Sequence, residues 1–177
     1  MTNFWQRFTW DLNKIPKGES DPPSPYILRP ALAEEEDTIQ KVVSTAMSTD
    51  SGWGEVQKAL LERVRKHISQ AFEKEEQGQC LALLHGSRII GCSVISPDSA
   101  ADNNLVTGPC ILHEYRSRGL GSFLLSASLS ALREAGLATA YGVTRDKTVA
   151  ARFIYPKFGG QASPWEQDSD VAPKLAA

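Results

Sequence analysis

Ile111-Leu112-His113-Glu114-Tyr115-Arg116-Ser117-Arg118-Gly119-Leu120-Gly121-Ser122 carries the decisive pattern of this 177-residue chain. An apolar strand runs out, turns at basic residues and glycines, and enters the apolar helical pattern of residues 119–135, which stops at Gly136. The first turn of a helix has free backbone N–H groups and a partial positive charge, so it attracts anions and phosphate above all. Gly119 and Gly121 leave the backbone open to a ligand. Arg116 and Arg118 add charge at the same mouth. The segment therefore reads as a pyrophosphate cradle, with a plain helix start bearing surface arginines as an equal reading on spacing alone. A P-loop is excluded because GxxxxGK[ST] is absent, and a dinucleotide fingerprint because Leu124 stands where its third glycine belongs.

Outward from this stretch the period of the apolar residues switches. Residues 79–85 and 88–95 are strand-like runs around Gly86-Ser87, a tight-hairpin signal. Asp98, Asp102, Asn103 and Asn104 supply a polar turn before a strand over 105–112. Residues 138–143 form the next strand and residues 148–157 a short helix closed by Gly159-Gly160. Upstream, residues 26–29 read as a short strand. Residues 32–47 read as a helix with Glu34–Asp37 in its first turns. A second amphipathic helix follows Trp53, with Val56, Leu60, Val64, His67 and Ile68 on one face. His67 there is expected to be a satisfied side chain and not a ligand. This mixed order predicts an α/β (α+β) fold with a mostly antiparallel sheet and at most three layers.

The length suits a single domain. With Lys+Arg 19 against Asp+Glu 21, the chain has no basic field, so nucleic acid and anionic membrane surfaces are not expected partners. The longest apolar run, residues 80–84, is far short of the roughly 20 residues of a membrane span. Cys80, Cys92 and Cys110 are odd in number and lack CxxC spacing, so neither a disulfide framework nor a metal site is expected. With no secretory signal pattern at the start, a cytoplasmic location fits. Residues 1–25 stand apart. Phe4, Trp5, Phe8 and Trp10 precede a stretch with Pro16, Gly18, Pro22, Pro23 and Pro25. These aromatics are expected to pack on the chain's own domain, with a docking arm for a second subunit, and hence a homodimer, as the other reading.

Arg116-x-x-Gly119-x-Gly121 resembles the acyl-CoA-binding signature (Q/R-x-x-G-x-G/A) of the GNAT N-acetyltransferase superfamily. Ala151-x-x-x-Tyr155-x-Lys157-x-Gly159 resembles that family's second motif. The likeness covers about residues 26–160, leaving residues 1–25 as an arm and 161–177 as a short polar tail. It implies helices on both faces of the sheet and a V-shaped opening between the family's fourth and fifth strands, here residues 105–112 and 138–143. It implies acetyl-CoA as cosubstrate and an N-acetyltransferase that passes an acetyl group to a small-molecule or peptide amine by direct attack. The backbones of Ile111 and His113 would pair with the pantetheine arm as an added strand. An N–H near Ile111 or Leu112 would stabilise the tetrahedral oxyanion. The N–H groups of Ser117, Arg118, Gly119, Leu120, Gly121 and Ser122 would hold the pyrophosphate.

Tyr155 falls at the family's general-acid position and would protonate the leaving thiolate, although Phe153, Tyr155 and Phe158 by themselves read as a core cluster. His113 has an intrinsic pKa suited to a base, but matches a family site where the backbone matters. Thr148 stands where the family often has Asn, contacting CoA or capping a helix. The family normally ends in two further strands, which the 17 residues after Gly160 supply at best in short form, so the acceptor site is either open or completed by the aromatic arm Phe4–Trp10 or a second subunit. A CoA-binding or interaction module without catalysis is the alternative function.

Overall fold

The structure is a computed structural model that describes residues 4–17, 21–73 and 79–166. Two antiparallel sheets hold the fold. One has the order β2-β3-β4-β5, from Tyr26–Pro30, Gln79–His85, Arg88–Ile95 and Cys110–Ile111. The other has the order β6-β1-β7, from Thr139–Arg145, Trp5–Asp11 and Gln161–Pro164. Helices α1 (Glu36–Ser48), α2 (Gln57–Glu73) and α3 (Leu120–Glu134) pack on them. β4 is buried from Ile89 to Ile95 because it lies between α1 and α3; the Ser128 hydroxyl of α3 reaches Ser93 of β4 at 2.7 Å. No helix among the described residues is long and apolar enough to cross a membrane.

The β3–β4 hairpin follows the sequence pattern, turning at Gly86-Ser87, with Gly86 at φ +61°. The N-terminal aromatics are not a loose arm. Trp5–Asp11 is the central strand of the second sheet, paired along its length with β6 and over Gln6–Thr9 with β7. Alternation along this strand puts Phe8 and Trp10 inside, 3% and 0% exposed, beside Leu12, Leu129 and Tyr155. After residue 160 the described residues hold one short strand, the four-residue β7, and it pairs with β1 from the opposite end of the chain. Residues 1–3 and 18–20 of the stretch read as an arm and 167–177 of the tail lie outside the described residues.

Two expected elements change form. The strand over 105–112 shrinks to Cys110–Ile111. Gly108 sits at φ +61°, and a Cβ there would collide with the Tyr155 hydroxyl, so the chain turns where a strand would run straight. The helix over 148–157 is a π-helical turn, Ala150–Ile154, followed by a 3-10 turn, Lys157–Gly159.

β5 and β6 do not pair. Asn103 and Asn104 stitch the two sheets instead: the Val143 N–H donates to Asn103 Oδ1 at 3.1 Å, and the Tyr141 N–H donates to Asn104 Oδ1 at 2.9 Å. Beyond the stitch the sheets part.

Candidate active site

A cleft of about 430 Å³ opens between β5, the end of α1, the start of α3 and the turns after β6. The α3 start forms one end. Gly119 caps the helix at φ 77°, and a Cβ built on it would meet nothing within 4 Å, so the space above the helix start is free. Ser117 also adopts positive φ (63°), a strained choice for a residue with a Cβ. The N–H groups of residues 117–122 have no hydrogen-bond acceptor among the described residues. Gly121 has a different reason to be small: a Cβ there would lie 2.8 Å from Ile154 Cδ1.

β5 forms the wall. The Leu112 N–H donates to Ile90 O at 2.9 Å, toward β4. By the alternation of an antiparallel ladder, the Ile111 N–H and C=O point the other way, into the cleft. The Ile111 carbonyl is already held by Arg116 Nε at 3.2 Å. An N–H at this wall is therefore offered by Ile111 and not by Leu112.

The structure brings Ile111, Arg116, Ser117, Gly119, Leu120, Gly121 and Ser122 to the cleft. Arg116 does more than add charge. Besides Ile111 O, it donates to Ala46 O (3.0 Å) and Thr49 Oγ1 (3.1 Å), tying the end of α1 to β5. Arg118 turns away, donating to Tyr26 Oη and Glu114 O at 3.0 and 3.1 Å. Leu112 is buried outside the cleft lining. His113 is exposed, opens the 3-10 turn His113–Tyr115, and its carbonyl accepts from the Arg116 N–H, so the strand-like edge ends before it. Thr148 is fully buried; its hydroxyl donates to Arg145 O at 3.0 Å and accepts from the Ala151 N–H at 3.2 Å, which caps the turn.

Tyr155 is 2% exposed and packs edge-on against Phe8 and Trp10 at 5.4 and 5.3 Å. It lines a second, smaller cavity that shares Met47, Trp53, Thr107 and Ala150 with the cleft. Its hydroxyl has no hydrogen-bond partner among the described residues. Burial raises its pKa above the ordinary phenol value, so it stays protonated at neutral pH. Phe153, expected in the same aromatic cluster, is instead 57% exposed at the cleft.

Sequence reasoning missed three cleft residues. Lys157 sits beside the helix start, its Nζ donating to Ser122 Oγ at 2.8 Å. It was visible in the second motif but not as a cation for the first. Asp50 crosses the cleft: Oδ1 accepts from the Gly52 N–H and Oδ2 from the Val149 N–H, both at 3.0 Å. Trp53 lies on the loop that this clasp holds. Neither Asp50 nor Trp53 belongs to a sequence pattern, because the clasp joins positions 99 apart.

Two antiparallel sheets that part beside an open helix start define this site. Residues 45–159 match the model of the Acetyltransferase (GNAT) family, and the chain belongs to that family. No curated protein matches it. Among solved structures, it is similar to a GCN5-related N-acetyltransferase from Sphaerobacter thermophilus (15% identity, TM-score 0.65, covering 92% of this chain and 49% of that one). It is also similar to one from Kribbella flavida (14%, 0.56, 92% and 56%) and one from Ralstonia eutropha JMP134 (13%, 0.56, 85% and 98%). The chain thus spans about half the length of the first two of these structures.

Proposed function

We propose that this chain is an acetyl-CoA-dependent N-acetyltransferase that moves an acetyl group to an amine acceptor by direct attack. The observation that carries the reading is the run of unpartnered N–H groups over residues 117–122 at one end of a cleft whose wall offers the Ile111 N–H. Those donors suit a pyrophosphate, with Lys157 as a nearby cation. Acetyl-CoA would supply the thioester that an amine attacks. The amine must be neutral to attack, and desolvation on entering the cleft favours that form. The Ile111 N–H is the donor available to charge developing on the carbonyl oxygen. Tyr155 is the candidate proton donor to the departing thiolate: it is protonated, buried and without a competing partner. Arg116 and Thr148 position the cleft walls by the bonds described above.

One observation favours a second reading, a CoA-binding module without catalysis. The ring of Tyr155 borders the smaller cavity and not the cleft itself. Thermal melting with and without acetyl-CoA tests the shared part of both readings. A ligand at 100 times its dissociation constant adds about 2.7 kcal/mol to stability. A rise in wild type that is lost in Gly119→Val supports cofactor binding, and no rise at millimolar ligand overturns it. Turnover of an amine panel by wild type and Tyr155→Phe then separates enzyme from module. Unchanged turnover in the variant would remove Tyr155 from the chemistry.

A further inference from the structure

Two free thiols face each other on the cleft wall. Cys92 of β4 stands directly opposite Cys110 of β5 in the antiparallel register. The Leu112 N–H bond to Ile90 O sets the phase of that ladder, so Cys110, two residues back, and Cys92 are a hydrogen-bonded pair. The Cα atoms of such a pair lie about 5.5 Å apart with both side chains on one face. That spacing is the one a disulfide bridges. Cys110 lines the cleft, whereas Cys92 is fully buried behind it. We propose that Cys110 and Cys92 are a dithiol site, oxidised to a Cys92–Cys110 disulfide by low-molecular-weight disulfides that enter the cleft, with Cys110 attacking and Cys92 resolving. The inference stands on the register and the cleft, independently of the acyl-transfer reading.

The surroundings divide the two roles. The Cys110 thiol reaches Thr107 O at 3.8 Å. Its hydrogen bond with Cys92, then the Thr107 contact and the Arg116 charge, hold its pKa below the ordinary thiol value against the effect of burial. The same bond and burial hold Cys92 well above that value. The thiolate is the attacking form, so Cys110 reacts first. Cys80 is different: burial pushes its thiol up to about 12, it stands opposite Val94, and it is not part of the cleft lining.

The chemistry balances in two exchanges. The Cys110 thiolate attacks one sulfur of the disulfide RSSR, and RS⁻ leaves, giving Cys110–S–SR. Cys92 gives its proton to the departed RS⁻ and attacks Cys110 Sγ, and the second RS⁻ leaves and takes the proton from Cys110. Two protein thiols are oxidised and one RSSR becomes two RSH. The cleft, of about 430 Å³, is of small-molecule size, which sets the class of oxidant. An adduct left on Cys110 would lie beside the Ile111 N–H and obstruct the wall. Cys92, directly opposite, removes it and clears the cleft.

The test is treatment of the full chain with bis(2-hydroxyethyl) disulfide. Free thiols are then trapped with iodoacetamide under denaturing conditions, and the intact chain and its peptides are weighed by mass spectrometry. Wild type is expected to lose two hydrogens, to yield a crosslinked Cys92–Cys110 peptide that dithiothreitol reverses, and to carry iodoacetamide on Cys80 alone. Cys92→Ala is expected to accumulate the hydroxyethylthio adduct on Cys110. Cys110→Ala is expected to show neither a crosslink nor an adduct on Cys92. The wild-type peptides decide the pairing whether or not a variant folds. An adduct that persists on Cys110 in wild type overturns the resolving role of Cys92. A wild type in which Cys80 reacts first, or in which Cys110 stays open to iodoacetamide, overturns the site.

Discussion

The indole N–H of Trp10 donates to the carbonyl of Lys157 at 3.0 Å, across 147 positions of sequence. Lys157 lines the cleft and Trp10 lies in the central strand of the second sheet, so the first strand of the chain holds one side of the site.

Trp10→Ala is therefore expected to destabilise the fold by roughly 3–5 kcal/mol, the cost of emptying a buried aromatic site. Trp10→Phe keeps most of the ring and loses the hydrogen bond, for about 1 kcal/mol. Urea unfolding midpoints check both. Unchanged midpoints would show that β1 contributes nothing to the second sheet.

Arg116 binds three acceptors on two elements through a planar fork. Arg116→Lys retains the charge but cannot reach Ile111 O, Ala46 O and Thr49 Oγ1 together. The expected loss is about 1–3 kcal/mol of stability, since buried carbonyls are left unpaired. If charge alone mattered, the lysine variant would melt as wild type does.

At Gly119 the backbone and the ligand make separable demands. Gly119→Ala and Gly119→Val both meet the positive-φ penalty, about 1–2 kcal/mol. Only the valine projects a bulky group over the helix start. A larger fall in acetyl-CoA affinity for valine than for alanine, read by calorimetry, is the expected outcome; equal affinities would mean that no ligand approaches there.

Glu35 sets an acid limit. Its carboxylate accepts from both terminal nitrogens of Arg29 at 2.7 and 2.9 Å and from the Leu32 N–H at 2.7 Å. The Arg29 hydrogen bonds come first in lowering its pKa from 4.5 to about 2. Because the folded value is depressed, this contribution is present above pH 4.5 and is lost as the pH falls toward about 2. Glu35→Gln is expected to flatten the stability profile in that window, measured by urea midpoints at stepped pH. An unchanged slope would assign the acid sensitivity to other groups.

The parts of the fold that show in the sequence are those made by near neighbours. The β3–β4 hairpin is set by two apolar runs and a Gly-Ser turn within 17 residues. The start of α3 is set by Gly119 and the apolar steps that follow. The run of unpartnered N–H groups over 117–122 shows for the same reason, since those donors are consecutive. Arg118 illustrates the limit: its charge is local, but its partner Tyr26 is 92 positions away, and that bond turns it from the mouth.

What the sequence by itself determined is the class of element at most positions, the glycine-flanked start of α3 and the family likeness, all of which rest on residues close along the chain. Only the tertiary structure decided that Trp5–Asp11 enters the second sheet between β6 and β7. It alone decided that Asp50 clasps Val149 across the cleft and that Trp5 and Val64 line the smaller cavity beside it. Strand partners and cavity walls come from distant positions brought together by burial, and no local pattern of residues records which distant surface an apolar face will meet.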